Sequence, residues 1–235
     1  RNLIVGKIFN ARWILERARR DHPLQIDDEV VGARSKELVE LLGKVAEATS
    51  LGELRGLEGA AARAYYASFD QMILSNKDTF AFRDRNRRPP KDPVNAMMSF
   101  AYSMLANDCA SALEGVGLDA YVGFMHCDRP GRKSLALDLA EELRSVFADR
   151  VVLTCINNRV VNAGHFTYRV GGGCLLTDEG RKAFIEIWQA KKRGEIKHPF
   201  LKERIQWGML PHVQAMLLAR YIRGDIDGYP PFMWK

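Results

Sequence analysis

The chain is organised around residues 123–142, whose sequence is GFMHCDRPGRKSLALDLAEE. His126 stands just before a loop rich in Gly, Pro, Arg and Lys, and the residues after the loop have the pattern of a helix. Asp138 and Glu141 fall in the first two turns of that helix, where a spacing of three residues places both carboxylates on one face. Leucines from Leu135 onward form a neighbouring stripe that would pack against a core. The stretch therefore predicts a helix that carries two acids and is held against the core.

The same stretch has the side chains of a metal site. Imidazole nitrogen and carboxylate oxygens suit Mg²⁺ or Mn²⁺ when some coordination positions stay open to water and substrate. The Pro-Gly loop after the histidine would fold the chain back, so that either acid reaches the same ion. Arg129, Arg132 and Lys133 would line the mouth of the site and indicate an anionic substrate. A lone histidine is more often structural, so the spacing alone leaves the metal site a hypothesis.

A further acid has to come from elsewhere in the chain, and Glu58 is the best candidate. It lies in the segment LRGLEGAAAR, residues 54–63. Glycine in a helix is unfavourable by about 1 kcal/mol relative to alanine, so two glycines here indicate close packing or a function. Arg55, one turn earlier, could pair with Glu58 or hold a phosphate. Arg63 lies five residues after Glu58 and is not on the same helical face. An isolated Glu58 would more often be a surface or capping carboxylate.

Four stretches together resemble one family. The segment RGLEG at residues 55–59 matches the Arg-Gly-x-Glu-Gly motif of the CRISPR-associated integrase family, CRISPR-associated protein one. Three further stretches match in the same order along the chain: RPPKDPVNA at 88–96, GFMH at 123–126 and SLALDLAE at 134–141. The resemblance runs from about the first residue to the last.

The resemblance implies a metal-dependent DNA endonuclease and integrase of CRISPR adaptation. Such an enzyme joins the 3′-hydroxyl ends of a short DNA fragment to a CRISPR repeat by transesterification. A glutamate, a histidine and a second acid bind the divalent metal in that family, and these positions fall on Glu58, His126 and Glu141. Some members have aspartate where Glu141 stands, so the choice of inner ligand between Asp138 and Glu141 stays open. If it is not a ligand, Asp138 would orient His126.

The resemblance also implies partners and a domain organisation. The expected partners are DNA (spacer precursor and CRISPR repeat), a second copy of the chain in a homodimer, and a small second CRISPR-associated protein. Residues 1–235 would form the helical catalytic domain. The chain opens on Arg1, and we expect that the N-terminal β-sandwich domain of the family is absent from it.

The composition is that of an ordinary globular protein, with 47% hydrophobic and 27% charged residues among 235. A net charge of +6 favours a polyanionic partner. The four cysteines are scattered without a Cys-x-x-Cys pair, which fits reduced thiols and a cytoplasmic location. No apolar run reaches the ~18 residues that span a bilayer, so no membrane is expected.

Hydrophobic periodicity predicts a mainly α-helical, single globular catalytic domain with at most one short β-hairpin. The hairpin is expected around the triple glycine at residues 171–173. Pro211 should kink the last helix. The predicted helices are 2–20, 28–48, 53–74, 93–114, 134–150, 177–193 and 198–223.

Residues 82–91 form a basic, proline-stiffened loop. It is either a solvated linker or a phosphate-binding surface, and the resemblance favours DNA contact by Arg87, Arg88 and Lys91. Two rival functions stay open: a non-catalytic nucleic-acid-binding helical domain, in which the acids are surface groups, and a metal-dependent phosphohydrolase acting on small molecules. Metal-dependent DNA cleavage that Glu58→Ala removes would separate all three.

Overall fold

The computed structural model describes residues 1–127 and 129–235, so Asp128 of the stretch quoted above lies outside the described residues. Helices dominate the described chain, and the prediction of a mainly α-helical fold is confirmed. Its α-helices are α1 (Asn2–Asp21), α2 (Asp28–Glu47), α3 (Leu51–Ala67), α4 (Pro93–Gly115), α5 (Ser134–Ala140), α6 (Arg150–Asn157), α7 (Asp178–Arg193) and α8 (Leu210–Arg223). None of the helices in the described residues is both long and apolar enough to cross a bilayer.

Two short antiparallel strand pairs complete the fold of the described residues. Strands β1 (Phe166–Tyr168) and β2 (Cys174–Leu176) form the hairpin expected around the triple glycine. Strands β3 (Glu195–Lys197) and β4 (Arg204–Gln206) form a second pair, one more than expected.

Capping residues fix the start of α3, which carries Glu58, and of its neighbour α2. The Asp27 side chain accepts hydrogen bonds from two backbone N–H groups at the start of α2. Ser50 and Glu53 form a capping box at the start of α3. Helix α1 packs against both α2 and α3. Glu58 therefore lies two turns into a helix whose start is fixed and whose neighbour is α1.

Helix α4 runs through the core and packs against α5 and α8. Asp92 caps it and Pro93 opens it, as the sequence predicts. Asn95, in the first turn, is buried and accepts hydrogen bonds from the Arg85 guanidinium (2.6 Å) and the Asn86 backbone N–H (3.1 Å). The basic loop before α4 is thus tied to the core and is not a free linker.

The continuous helix predicted for residues 134–150 is interrupted. Helix α5 ends at Ala140, a π-helical segment covers Arg144–Asp149, and α6 follows directly. Such wider turns are common at functional sites. The two adjacent acids in the break, Glu141 and Glu142, face different partners. Glu141 faces α1, whereas Glu142 accepts hydrogen bonds from the Gln214 side chain (2.9 Å) and the Phe232 backbone (2.8 Å).

The C-terminal region departs most from the prediction. The helix expected from residue 198 begins only at Leu210, because β3 and β4 occupy the preceding residues. His198, between those strands, is buried and hydrogen-bonded to Gln214 of α8, a contact that no local pattern reveals. Pro211 lies in the first turn of α8, where its missing N–H is not needed, so it does not kink the helix.

Candidate active site

Asp138 anchors the loop that carries the histidine. Its carboxylate is fully buried and accepts hydrogen bonds from the backbone N–H groups of Phe124 (2.6 Å), Met125 (2.9 Å) and His126 (3.0 Å). The His126 ring is the fourth partner, with Nδ1 2.6 Å from Asp138 Oδ1. Because Asp138 accepts at Nδ1, the neutral imidazole keeps its lone pair at Nε2. Four bonds thus converge on one carboxylate and fix both the loop and the ring.

Gly123 makes this loop possible by its small size. A Cβ at this position would lie 2.7 Å from the Ser134 side chain and 2.9 Å from the His126 carbonyl oxygen. Contacts that short do not occur for real side chains, so the loop can approach the start of α5 only with glycine here. The close approach brings the loop's N–H groups within reach of Asp138.

Glu141 lies next to the histidine and is ionised. Its Oε1 is 3.8 Å from His126 Nε2 and 2.8 Å from Arg144 Nη1, and its Oε2 is 2.6 Å from Lys7 Nζ. Burial by itself would raise the pKa of Glu141, but the charges of Arg144 and Lys7 outweigh it and lower the pKa to about 2. A charged carboxylate is thus held in a buried position.

Glu58 joins the same cluster through Lys7. The Lys7 ammonium forms an ion pair with Glu58 as well as with Glu141, and it therefore bridges the two acids. Burial lowers the pKa of Lys7, but the two carboxylates outweigh this and raise it. The three helical segments that carry these residues meet at one ammonium group.

One open cavity of about 460 Å³ is lined by Glu58, His126 and Glu141 together. No group of three or more His, Cys, Asp or Glu side chains within residues 1–127 and 129–235 is arranged to hold a metal ion as it stands. Lys7 gives the reason, since its ammonium lies between the two glutamates.

The residues nevertheless fit a divalent cation. Two carboxylates and an imidazole nitrogen are the donor types that Mg²⁺ and Mn²⁺ accept. Glu141 Oε2 is buried and faces the Lys7 ammonium at 2.6 Å. A positive group already stands where an ion would bridge the two acids, so the position is electrostatically suited to a cation.

The predicted DNA-binding residues are dispersed around this centre. Arg87 and Arg88 line the cavity itself. Arg129 and Arg132 line an adjoining opening of about 340 Å³ beside the histidine. Lys133 donates a 3.3 Å hydrogen bond to Asn107, away from both openings.

Three further basic residues named for DNA contact lie outside this cavity. Arg55 does not pair with Glu58; its guanidinium donates to the Met125 carbonyl oxygen at 2.6 and 2.9 Å, and it lines the adjoining opening beside the histidine. It therefore helps to hold the histidine loop. Arg63 and Lys91 are exposed, and neither lines the cavity. Their proposed DNA contacts would have to be made outside it.

Sequence reasoning missed Lys7 and Arg144. Arg144 is three residues after Glu141, a helical spacing that indicates an ion pair. Lys7 stands among the apolar residues of α1, next to the fully buried Ile8. A cation beside an apolar stripe signals a buried acidic partner, but the pattern does not say which acid.

Comparisons with known proteins identify the family of the chain. The family described as CRISPR associated protein Cas1 matches residues 1–190. CRISPR-associated endonuclease Cas1 2 of Rhodospirillum rubrum is 49% identical over 239 residues, which cover all of this chain and 70% of the relative.

Two solved structures share the fold. A casposase bound to integration product superposes with a TM-score of 0.85 at 22% identity and covers 100% of this chain and 63% of its own. A Cas6-RT-Cas1–Cas2 complex superposes with a TM-score of 0.82 at 24% identity and covers 100% of this chain and 24% of its own. From the family match and the Rhodospirillum rubrum relative, this chain belongs to the Cas1 family of CRISPR-associated proteins.

Proposed function

We propose that this domain is a metal-dependent DNA endonuclease and integrase of CRISPR adaptation, which inserts new spacer DNA into the CRISPR array by transesterification. The observation that carries the proposal is that Glu58, His126 and Glu141 line one open cavity whose remaining charged residues, Lys7 and four arginines, are all cationic. The Rhodospirillum rubrum relative, named an endonuclease, supports the reaction class. The casposase, solved with an integration product, supports the joining reaction.

Glu58, His126 Nε2 and Glu141 would hold Mg²⁺ or Mn²⁺. Such an ion supplies Lewis-acid polarisation of the target phosphate and stabilisation of the leaving oxygen. Between the two acids, Glu141 is the better inner ligand. The oxygens of Asp138 already accept four hydrogen bonds that hold the histidine loop, whereas Glu141 Oε2 faces the Lys7 ammonium, a cation that a metal ion can replace. Asp138 then orients His126 and does not itself bind the ion.

The remaining residues of the site keep Glu141 ionised and would position the DNA backbone. Arg144 keeps Glu141 ionised, with its Nη1 2.8 Å from Glu141 Oε1. Arg87 and Arg88 stand on the cavity wall, where guanidinium groups pair with backbone phosphates regardless of base sequence. Arg129 and Arg132 extend this positive surface beyond the histidine. Together they would fix a DNA backbone with one phosphate next to the three ligands.

The proposed partners are those that membership of the family implies. DNA is the substrate, as spacer precursor and as CRISPR repeat. The solved Cas6-RT-Cas1–Cas2 complex supports a small second CRISPR-associated protein as partner. A homodimer and a cytoplasmic location complete the proposal.

Nicking of supercoiled plasmid DNA in Mn²⁺ tests the proposal. The wild-type chain should nick DNA with Mn²⁺ and should not do so in EDTA. The nicking rate of Glu58→Ala should fall by at least the ~10–100-fold that removal of an outer metal partner costs. Glu47→Ala is the matched control, because Glu47 is an exposed glutamate at the end of the neighbouring helix α2.

The two rival functions give different results in the same assay. A non-catalytic nucleic-acid-binding domain would bind the plasmid without nicking it under any metal. A small-molecule phosphohydrolase would cleave an activated phosphodiester such as bis-p-nitrophenyl phosphate and leave DNA intact. Equal nicking by Glu58→Ala and wild type would refute the proposed site.

A further inference from the structure

We propose that Lys7 is an internal counter-cation of the site: it holds Glu58 and Glu141 together in the metal-free protein and competes with the divalent metal for them. The inference rests on the proposed function, since it concerns the same two acids. It adds a residue of α1 to a site otherwise built from α3 and from the loop and helix that follow α4.

The contacts of Lys7 place it between the two acids. Its ammonium pairs with Glu58 Oε1 and lies 2.6 Å from Glu141 Oε2. The Lys7 side chain is 14% exposed, compared with 29% for Glu58 and 5% for Glu141. The pair with Glu141 is thus largely shielded from water, and such pairs are screened much less than surface ones.

A metal ion cannot share this position with the ammonium. Ligand oxygens bind Mg²⁺ at only ~2.1 Å. An ion that bridges Glu58 and Glu141 would therefore stand within a few ångströms of Lys7 Nζ. Two like charges at that distance repel strongly, and more so in a partly dry site. Metal binding has to displace the ammonium, and its free energy is reduced by the cost of breaking both ion pairs.

The cavity beside Lys7 can accommodate the displaced ammonium. Lys7 borders the cavity of about 460 Å³, whose wall also carries Arg85, Arg87 and Arg88. A lysine carries its charge on a flexible four-carbon stem, so the group can turn into the cavity while α1 stays in place. There it would pair with a substrate phosphate. Metal loading would thus convert an internal ion pair into a substrate contact.

Mn²⁺ affinity of the whole chain without DNA tests this directly. Free Mn²⁺ is measured by electron paramagnetic resonance for wild type, Lys7→Met and the control Lys36→Met, an exposed lysine of α2. Lys7→Met keeps the stem and removes the charge. We expect it to bind Mn²⁺ at least about tenfold more tightly than wild type and the control, which corresponds to about 1.4 kcal/mol.

The melting temperature provides a second readout. In EDTA, Lys7→Met should melt below wild type, because two acids lose their shared counter-cation. Mn²⁺ should raise its melting temperature more than that of wild type. If Lys7→Met does not fold, Lys7→Gln takes its place, and Lys7→Arg should restore wild-type affinity because it keeps the charge.

The outcomes separate this inference from the proposed function. Equal or weaker Mn²⁺ binding by Lys7→Met, with normal binding by wild type, overturns the competition and leaves the metal site intact. Absence of Mn²⁺ binding in every variant overturns the metal site itself, and the competition with it.

Discussion

Replacing Asp138 by asparagine should destabilise the protein strongly, although the side chain keeps its size. Asp138 Oδ2 accepts the N–H groups of Phe124 and Met125, and Oδ1 accepts both the backbone N–H and Nδ1 of His126. An asparagine replaces one of these oxygens with an NH₂ group. At the Oδ2 position this group faces two backbone N–H donors; at the Oδ1 position it faces one backbone N–H donor and Nδ1 of His126, which can accept after a change of tautomer. One or two hydrogen bonds to a buried charge are therefore lost, and each is worth about 1.5–3 kcal/mol.

The expected loss is therefore about 1.5–6 kcal/mol, a large part of the 5–15 kcal/mol that stabilises a typical domain. Urea unfolding in EDTA, followed by circular dichroism, measures it. Asp27→Asn is the matched control. Asp27 also accepts two backbone N–H groups through one oxygen, but it is an exposed N-cap, where asparagine serves equally well. A loss below about 1 kcal/mol for Asp138→Asn would refute the role of Asp138 as the anchor of the histidine loop.

Three further predictions concern charge. Glu141→Gln should cost about 3 kcal/mol in EDTA by urea unfolding, because the largely buried Arg144, whose side chain is 18% exposed, loses its carboxylate partner; a neutral result would contradict the ion-pair account. Burial raises the pKa of Glu142 to about 7, so the folded protein binds the extra proton and stability should fall as pH rises from about 4.5 to 7. Glu142→Gln should flatten that decline in urea titrations at several pH values. An unchanged slope would contradict the assignment of the decline to Glu142. DNA binding measured by fluorescence anisotropy should weaken steeply with salt, and replacing Arg87 and Arg88 together by alanine should reduce the log–log slope by about 2.

The sequence identifies the candidate ligands better than it identifies their roles. The motifs single out Glu58, His126 and Glu141, and all three line one cavity. The spacing of Asp138 and Glu141 places both on one helical face and cannot say which one binds an ion. The distinction comes from the histidine loop, whose backbone N–H groups fold back onto Asp138. That is a tertiary contact between backbone and side chain, and no local pattern encodes it.

The same limit explains where the fold prediction fails. Periodicity and capping residues predict α1, α2, α4 and α7 to within about two residues, because those signals are local. The break after Ala140 depends on partners far along the chain, among them Gln214 and Phe232 for Glu142. The buried contact between His198 and Gln214 likewise places strands where a helix was predicted. Lys7 is a site residue for a tertiary reason as well, since its acids lie on other segments.

The central claim is that Glu58, His126 and Glu141 hold one divalent metal ion, and an anomalous-scattering map of crystals soaked in Mn²⁺ tests it most directly. The account predicts an anomalous peak about 2.1–2.3 Å from a carboxylate oxygen of Glu58, a carboxylate oxygen of Glu141 and Nε2 of His126. It also predicts that Asp138 still holds Nδ1 of the histidine and that the Lys7 ammonium has turned away. A peak ligated by Asp138 with the imidazole rotated off it, or no peak at this position in fully soaked crystals, would contradict the account.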